Sequence, residues 1–405
     1  MWFKMPFSIV LFFRNKYIVI FFLKIISVLG PLVLYAVMAR RYSAVEFGYF
    51  QYIMSLLAFT SLLEAGVISS FRNSVLIEKN NIITEAAKAL KTSSVIVVLI
   101  APIALIITYF VSSSIYISLG MGISCFLLYA SVFTAYYDLK DHSVYPRLLD
   151  AICYMLFLCV TFVLVYLRCK PDFIFFILCL ARVLWIIVPL KNEFLKIFSI
   201  NVKFSAYINK IYFKENMGFL LIQILNSCGA ILSAFVLSKG LGFSDYGIFS
   251  IYQRFFLIPF AFYAAVAPIL WVKFGSETSH LITSKKLHLK IFMVISAIYL
   301  LLSAFLIYFI PFYAGERFTY NNKLLVYFAG LMFSLSLVKD ILSTMMHSRR
   351  LFMQQVLCAV LYLISLLFLC VSKFTISMYI SIQILISLMS FLFMTFTLSR
   401  TKCAS

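Results

Sequence analysis

The chain has 405 residues, 64% of them hydrophobic and only 12% charged, with 34 Lys and Arg against 14 Asp and Glu and a net charge of +20. A soluble protein is about 45–50% apolar and about 25% charged, so this composition cannot build the polar shells of several water-exposed domains. Apolar runs of about twenty residues also exclude an outer-membrane barrel, whose strands alternate apolar and polar positions. Mean hydropathy is +1.05. A spanning helix with its connection takes about 30–35 residues, which fits about twelve passes into this length. The expectation is an all-α integral membrane protein.

In chain order the apolar stretches are 17–38, 47–70, 92–111, 116–137, 148–167, 173–190, 217–238, 247–272, 291–311, 324–346, 352–371 and 376–398. The first is too long for a signal-peptide core and leads straight into a second span. With the N-terminus inside, 22 of the 34 basic residues fall in cytoplasmic segments. Eight fall outside, and four (Lys24, Arg182, Arg254 and Lys339) lie within spans. The positive-inside rule then puts both termini in the cytoplasm. Six passes per half divide the chain into an N-terminal bundle (1–190), a basic cytoplasmic linker (191–216) and a C-terminal bundle (217–405). In the linker, Lys196, Lys203 and Lys210 are seven apart with Lys214 four further on. That spacing suits a helix lying on an anionic inner leaflet, and it equally suits an ordinary basic connection. The outside connections are no longer than about a dozen residues, too short for the catalytic loop of a membrane glycan polymerase.

The two halves share a motif. Glu46-Phe47-Gly48-Tyr49-Phe50 opens the second span and Asp245-Tyr246-Gly247-Ile248-Phe249 the eighth. Both read acid, aromatic, Gly, any residue, Phe, with Arg40 or Lys239 six positions earlier. The offset is 199 residues (from 48 to 247), nearly half the chain. An even number of passes per half makes these parallel repeats, related by an axis along the membrane normal. Gly48 and Gly247 therefore fall at equivalent turns, where a glycine permits close backbone approach or a positive φ.

The stretch Met38-Ala39-Arg40-Arg41-Tyr42-Ser43-Ala44-Val45-Glu46-Phe47-Gly48-Tyr49-Phe50 resembles the signature between the first two helices of Wzx-type O-antigen and polysaccharide flippases. Glu64-Ala65-Gly66 followed by Arg72 is similar to its continuation, with Glu-Ala in place of the family's usual Asp-Leu. The resemblance implies the multidrug/oligosaccharidyl-lipid/polysaccharide exporter fold, two six-helix bundles forming a V around a cavity. It also implies a bacterial inner-membrane protein that moves an undecaprenyl-pyrophosphate-linked oligosaccharide from the cytoplasmic to the periplasmic leaflet. Membrane lipids and other polysaccharide-assembly proteins are the further partners expected, and nucleic acid is not.

Ionisable residues inside a membrane are costly and usually face a cavity or a partner. Seven fall within the spans: Lys24, Glu64, Asp150, Arg182, Arg254, Lys339 and Asp340. Lys24, Ser27, Pro31 and Tyr35 share one helical face, and Gly30-Pro31 permits a bend. The repeat offset carries Lys24 to Gln223 and Ser27 to Asn226, so a polar stripe recurs on the seventh span beside Ser227. Such stripes suit two bundles facing one cavity. Arg254 lies about two turns below the outer surface, where its planar fork could hold a pyrophosphate. The plain alternative for Lys24 and Arg254 is snorkelling to the interface. Arg182, near mid-span, needs Asp150, a lipid phosphate or the cavity. Lys339 and Asp340 are about 100° apart on a helix and are not expected to pair with each other. Glu64 has Arg72 or Lys24 as structural partners.

No cofactor is expected. A proton or sodium ion could couple transport through Glu64, Asp150 or Asp340. The histidines at 142, 280, 288 and 347 lack metal-ligand spacing, the nine cysteines include no CxxC, and neither HExxH nor a Walker A motif is present. The aromatics, 18% of residues, are lipid-facing bulk and interfacial anchors. Three readings compete with the carrier-lipid flippase. A cation-coupled multidrug exporter of the same fold would want an anionic lumen, where this chain has a cationic surplus. A membrane glycan polymerase would want a long outer loop. A peptidoglycan-precursor flippase would bring fourteen passes.

Overall fold

The computed structural model describes residues 16–58, 67–76, 79–140, 144–201, 217–264, 267, 284–348 and 351–400. Every regular element among them is helical. In chain order they are α1 (Lys16–Arg41), α2 (Ala44–Leu56), α3 (Val67–Leu76), α4 (Ile82–Ser112), α5 (Ile115–Ser124), α6 (Leu127–Leu139), α7 (Val144–Tyr166) and α8 (Pro171–Phe198). The second half supplies α9 (Met217–Gly240), α10 (Gly242–Phe256), α11 (Lys285–Ala314), a 3₁₀ turn (Glu316–Phe318), α12 (Leu324–Ser348), α13 (Phe352–Val371) and α14 (Ile376–Arg400). Helices outrun the apolar stretches read from sequence because polar residues cap them. Asn81 Oδ1 accepts from the amides of Ile83 and Thr84, at 2.9 and 3.4 Å, and starts α4 ten residues before its apolar run. Ser43 and Glu46 close a capping box on α2. The acid of the repeated motif is thus, in the first half, a helix-starting residue.

Seven segments among the described residues are long and apolar enough to cross a membrane: 82–110, 115–139, 221–240, 285–314, 324–346, 353–371 and 376–400. Each of the other five expected spans includes residues or side chains outside those described. Large apolar groups stand exposed along α4 and α11, among them Phe110, Tyr308 and Phe312. Such surface is stable against lipid and not against water.

The chain forms two compact units, Met1–Leu34 with Thr60–Met217 and Tyr35–Phe59 with Gly218–Ser405. In the first, glycines let helices close up. A methyl on Gly120 would lie 2.8 Å from the Phe175 ring, and one on Gly30 would lie 2.9 Å from Leu158. Arg72 pairs with Asp138 at 3.0 Å, joining α3 to α6, and Glu85 pairs with Lys88 at the start of α4. The segment read as a basic linker begins as helix, since α8 runs to Phe198. There the Lys91 ammonium donates to the Ile200 carbonyl at 2.8 Å.

In the second unit α11, α12, α13 and α14 enclose an apolar core of Val338, Leu342, Met345, Cys358, Phe391 and Met394, with Phe292 against it. To these helices are added the last turns of α1 and all of α2. The connections expected outside are all short: 42–43, 113–114, 167–170, 241, 315–323 and 372–375. Ser113, at φ 55°, ends α4 in a left-handed turn, and Gly315, at φ 95°, ends α11. Reporter fusions after Lys402 and within 191–216 are expected to report cytoplasm. A periplasmic signal from either would reverse the orientation.

Candidate functional site

The centre of the second unit is a seam between α2 and α10. A methyl on Gly48 would overlap the carbonyl oxygen of Phe243 and lie 3.0 Å from the Gly247 nitrogen. A methyl on Gly247 would overlap the carbonyl oxygen of Ala44 and lie 3.1 Å from the Gly48 nitrogen. Ala44 and Phe243 stand at the same 199-residue offset as the two glycines. Each residue thus meets the repeat copy of its neighbour's partner, the reciprocity of a two-fold contact. Close approach, not positive φ, explains both glycines; among the described residues the glycines at positive φ are Gly242 and Gly315. Phe50 and Phe249, also repeat copies, are fully buried.

Below the glycines the symmetry breaks. Arg254 donates from Nε and Nη2 to Gln51 Oε1, at 3.1 and 2.6 Å, and its guanidinium lies 5.0 Å from the Tyr35 ring centre. The repeat copies of this pair are Ser250 and Ser55, whose hydroxyls donate to carbonyls of their own helices, Gly247 at 2.8 Å and Tyr52 at 2.6 Å. Gln51 is 1% exposed, and its Nε2 meets no acceptor among the described residues. Arg254 is half-buried. A buried amide without an acceptor costs about 1–3 kcal/mol, so the pocket holds donors where an acceptor is wanted.

At the helix ends beyond the glycines two arginines are exchanged. Arg40 of α1 donates to the Phe312 carbonyl at 2.7 Å and to the Tyr313 carbonyl at 3.2 Å, in the last turn of α11. Arg317 donates to the Ala39 carbonyl in the last turn of α1. Each cation sits on the free carbonyls of the other helix, where the macrodipole favours it.

The remaining candidates are more scattered. Lys24 and Ser27 lie on α1 and Asp150 on α7, with side chains outside those described, and Glu64 lies outside the described residues. Pro31 stands within a helix that runs unbroken to Arg41. On α9, Gln223 is half-buried, Asn226 exposed and Ser227 buried. Arg182 is half-buried on α8, in the first unit. Lys339 and Asp340 turn to different neighbours. The Lys339 ammonium is 5.7 Å from the Tyr362 ring centre, and the backbone carbonyl of Asp340 accepts from the Tyr263 hydroxyl at 3.1 Å. Among the described residues no three His, Cys, Asp or Glu side chains are grouped to hold a metal ion.

Comparison with solved structures decides the architecture. Over 95% of this chain and 98% of the other, it superposes on the inward-facing form of a multidrug resistance MATE family transporter of the MOP superfamily, with a TM-score of 0.65 and 14% identity. The outward-facing form of such a transporter matches over 99% of this chain and all of the other, with a TM-score of 0.64 and 14% identity. The chain has the MATE fold. That fold has twelve membrane helices in two repeats. A MOP superfamily transporter from Pyrococcus furiosus, described by the reverse polarity of its binding pocket, matches this chain with a TM-score of 0.57 and 14% identity, over 95% of this chain and 96% of the other. No family model and no curated sequence matches the chain.

Proposed function

We propose that the protein is an alternating-access flippase for an anionic lipid-linked glycan, undecaprenyl-pyrophosphate-linked, carried from the cytoplasmic to the periplasmic leaflet. One observation carries the reading: an arginine in the expected eighth span beside a buried amide whose Nε2 has no acceptor among the described residues. Donors without acceptors suit an anion, and a guanidinium can take two phosphate oxygens at once. Cationic Lys24, Arg182 and Lys339 in the spans point the same way. The MATE fold is known in inward- and outward-facing forms, and in the Pyrococcus furiosus neighbour a reversed pocket polarity suggests a different function.

A multidrug exporter is the second reading, favoured by the multidrug resistance transporters among the neighbours. Cells lacking the protein are expected to lose surface polysaccharide and accumulate lipid-linked repeat units, with efflux of a cationic dye unchanged. Lost dye efflux with intact polysaccharide would replace the flippase by the exporter. A polymerase is disfavoured, because the longest of the connections expected outside is 315–323 and it opens with a 3₁₀ turn at Glu316–Phe318.

A further inference from the structure

We infer that Gln51 is a latch, which keeps the α2–α10 seam closed by occupying Arg254 until an anionic ligand takes the guanidinium away. The inference rests on the anion-carrier reading above and adds what binding does to the protein. The two glycines meet backbone to backbone, and the rings beside them, Tyr49 against Phe243 at 5.4 Å, are uncharged, so neither contact answers to an anion. The Arg254–Gln51 bond crosses that seam between helices that the repeat makes otherwise equivalent. Its repeat copy, Ser55 and Ser250, is turned inward on each helix and fastens nothing across.

The choice of residue matters. A carboxylate at position 51 would form a buried ion pair with Arg254, whereas an amide oxygen is a neutral acceptor. The Arg254–Gln51 bonds carry charge on the guanidinium side alone, whereas a phosphate adds an opposite charge and two oxygens matched to the fork, so a phosphate displaces the amide but would not readily displace a carboxylate. A ligand shifts a conformational equilibrium only by binding one state better. Gln51 holds the Nε–Nη2 edge of the guanidinium, so an anion that takes this edge with two oxygens requires Gln51 to let go, and such occupancy favours the open seam. Gln51 then offers its orphaned Nε2 to the same anion.

The test uses the full-length protein with Tyr49→Cys and Phe243→Cys, whose native rings are 5.4 Å apart across the seam. Oxidative crosslinking of this pair, located by peptide mapping, reports closure. Millimolar inorganic pyrophosphate is expected to lower the yield several-fold in this parent. Adding Gln51→Ala should lower it similarly without pyrophosphate. Adding Gln51→Glu should keep it high, make it insensitive to pyrophosphate, and stop glycan export at normal membrane levels. A Gln51→Glu protein that crosslinks, responds and exports like its parent would overturn the latch. So would a Gln51→Ala protein whose seam stays closed. A parent seam indifferent to pyrophosphate would overturn the anion trigger. Polysaccharide and dye measurements on unmodified protein judge the flippase reading separately.

Discussion

Replacing Arg254 by alanine is expected to abolish export of the surface glycan while the protein still inserts in the membrane. The substitution removes both bonds to Gln51 and the contact with Tyr35, and leaves the whole Gln51 side chain buried without a partner. Charged hydrogen bonds of this kind contribute about 1.5–3 kcal/mol. That loss dents stability, but it need not unfold a protein held mainly by packing of long helices. On the proposed flippase reading transport suffers more, because the pyrophosphate loses the Arg254 fork that would neutralise it away from bulk water. Arg254→Lys should recover part of the export, since an ammonium keeps the charge and lacks the planar geometry. An interfacial anchor would behave differently: lysine would substitute fully and alanine would mainly lower the protein level. The measurement is surface polysaccharide per unit of membrane-inserted protein. Full export by the alanine variant would remove Arg254 from the substrate path.

The second large effect belongs to the glycines. Gly48→Ala drives a methyl into the Phe243 carbonyl, and Gly247→Ala drives one into that of Ala44. Backbone cannot swing aside as a flexible side chain can, so α2 and α10 must separate. Overpacking typically costs about 1–3 kcal/mol and occasionally more; these positions belong at the upper end. Gly242 is the control. It has φ +82° and open space around its Cβ position, so alanine there brings backbone strain of about 1–2 kcal/mol without a clash. Thermal unfolding in detergent should therefore fall further for Gly48→Ala and Gly247→Ala than for Gly242→Ala. Equal melting of all three would mean the seam is looser than its geometry.

The membrane class was legible from composition, and the repeat from a single pentapeptide pair. Both motif glycines mark close approach, but that they meet each other was not written in either copy. It follows from two-fold symmetry: a residue close to the axis must touch its own counterpart. Arg254 stood out as a charge in an apolar run. Gln51 did not, because a neutral amide gives no such signal and its role depends on which helix packs beside it. Arg40 is legible as the basic residue of the repeated motif, but not as a cap on α11, 272 residues away. Helix starts were placed late at α4 and α11 because hydropathy sees apolar residues while helices begin at caps such as Asn81 and Ser284.

Packing of residues 35–59 with the second unit has a consequence for how the protein is made. The ribosome finishes α2 about 200 residues before it reaches Arg254. At about 5–20 residues per second, that is on the order of 10–40 s. Throughout that interval the Gly48 face has no α10 to close on, and the Gln51 amide has no guanidinium. A bare amide in hydrocarbon is costly, so the early hairpin must shelter against a temporary neighbour, a lipid headgroup or an insertion factor. The N-terminal half therefore cannot finish folding while the chain is short. A product truncated before Gly242 would stay unfinished and present a glycine-lined face to membrane quality control.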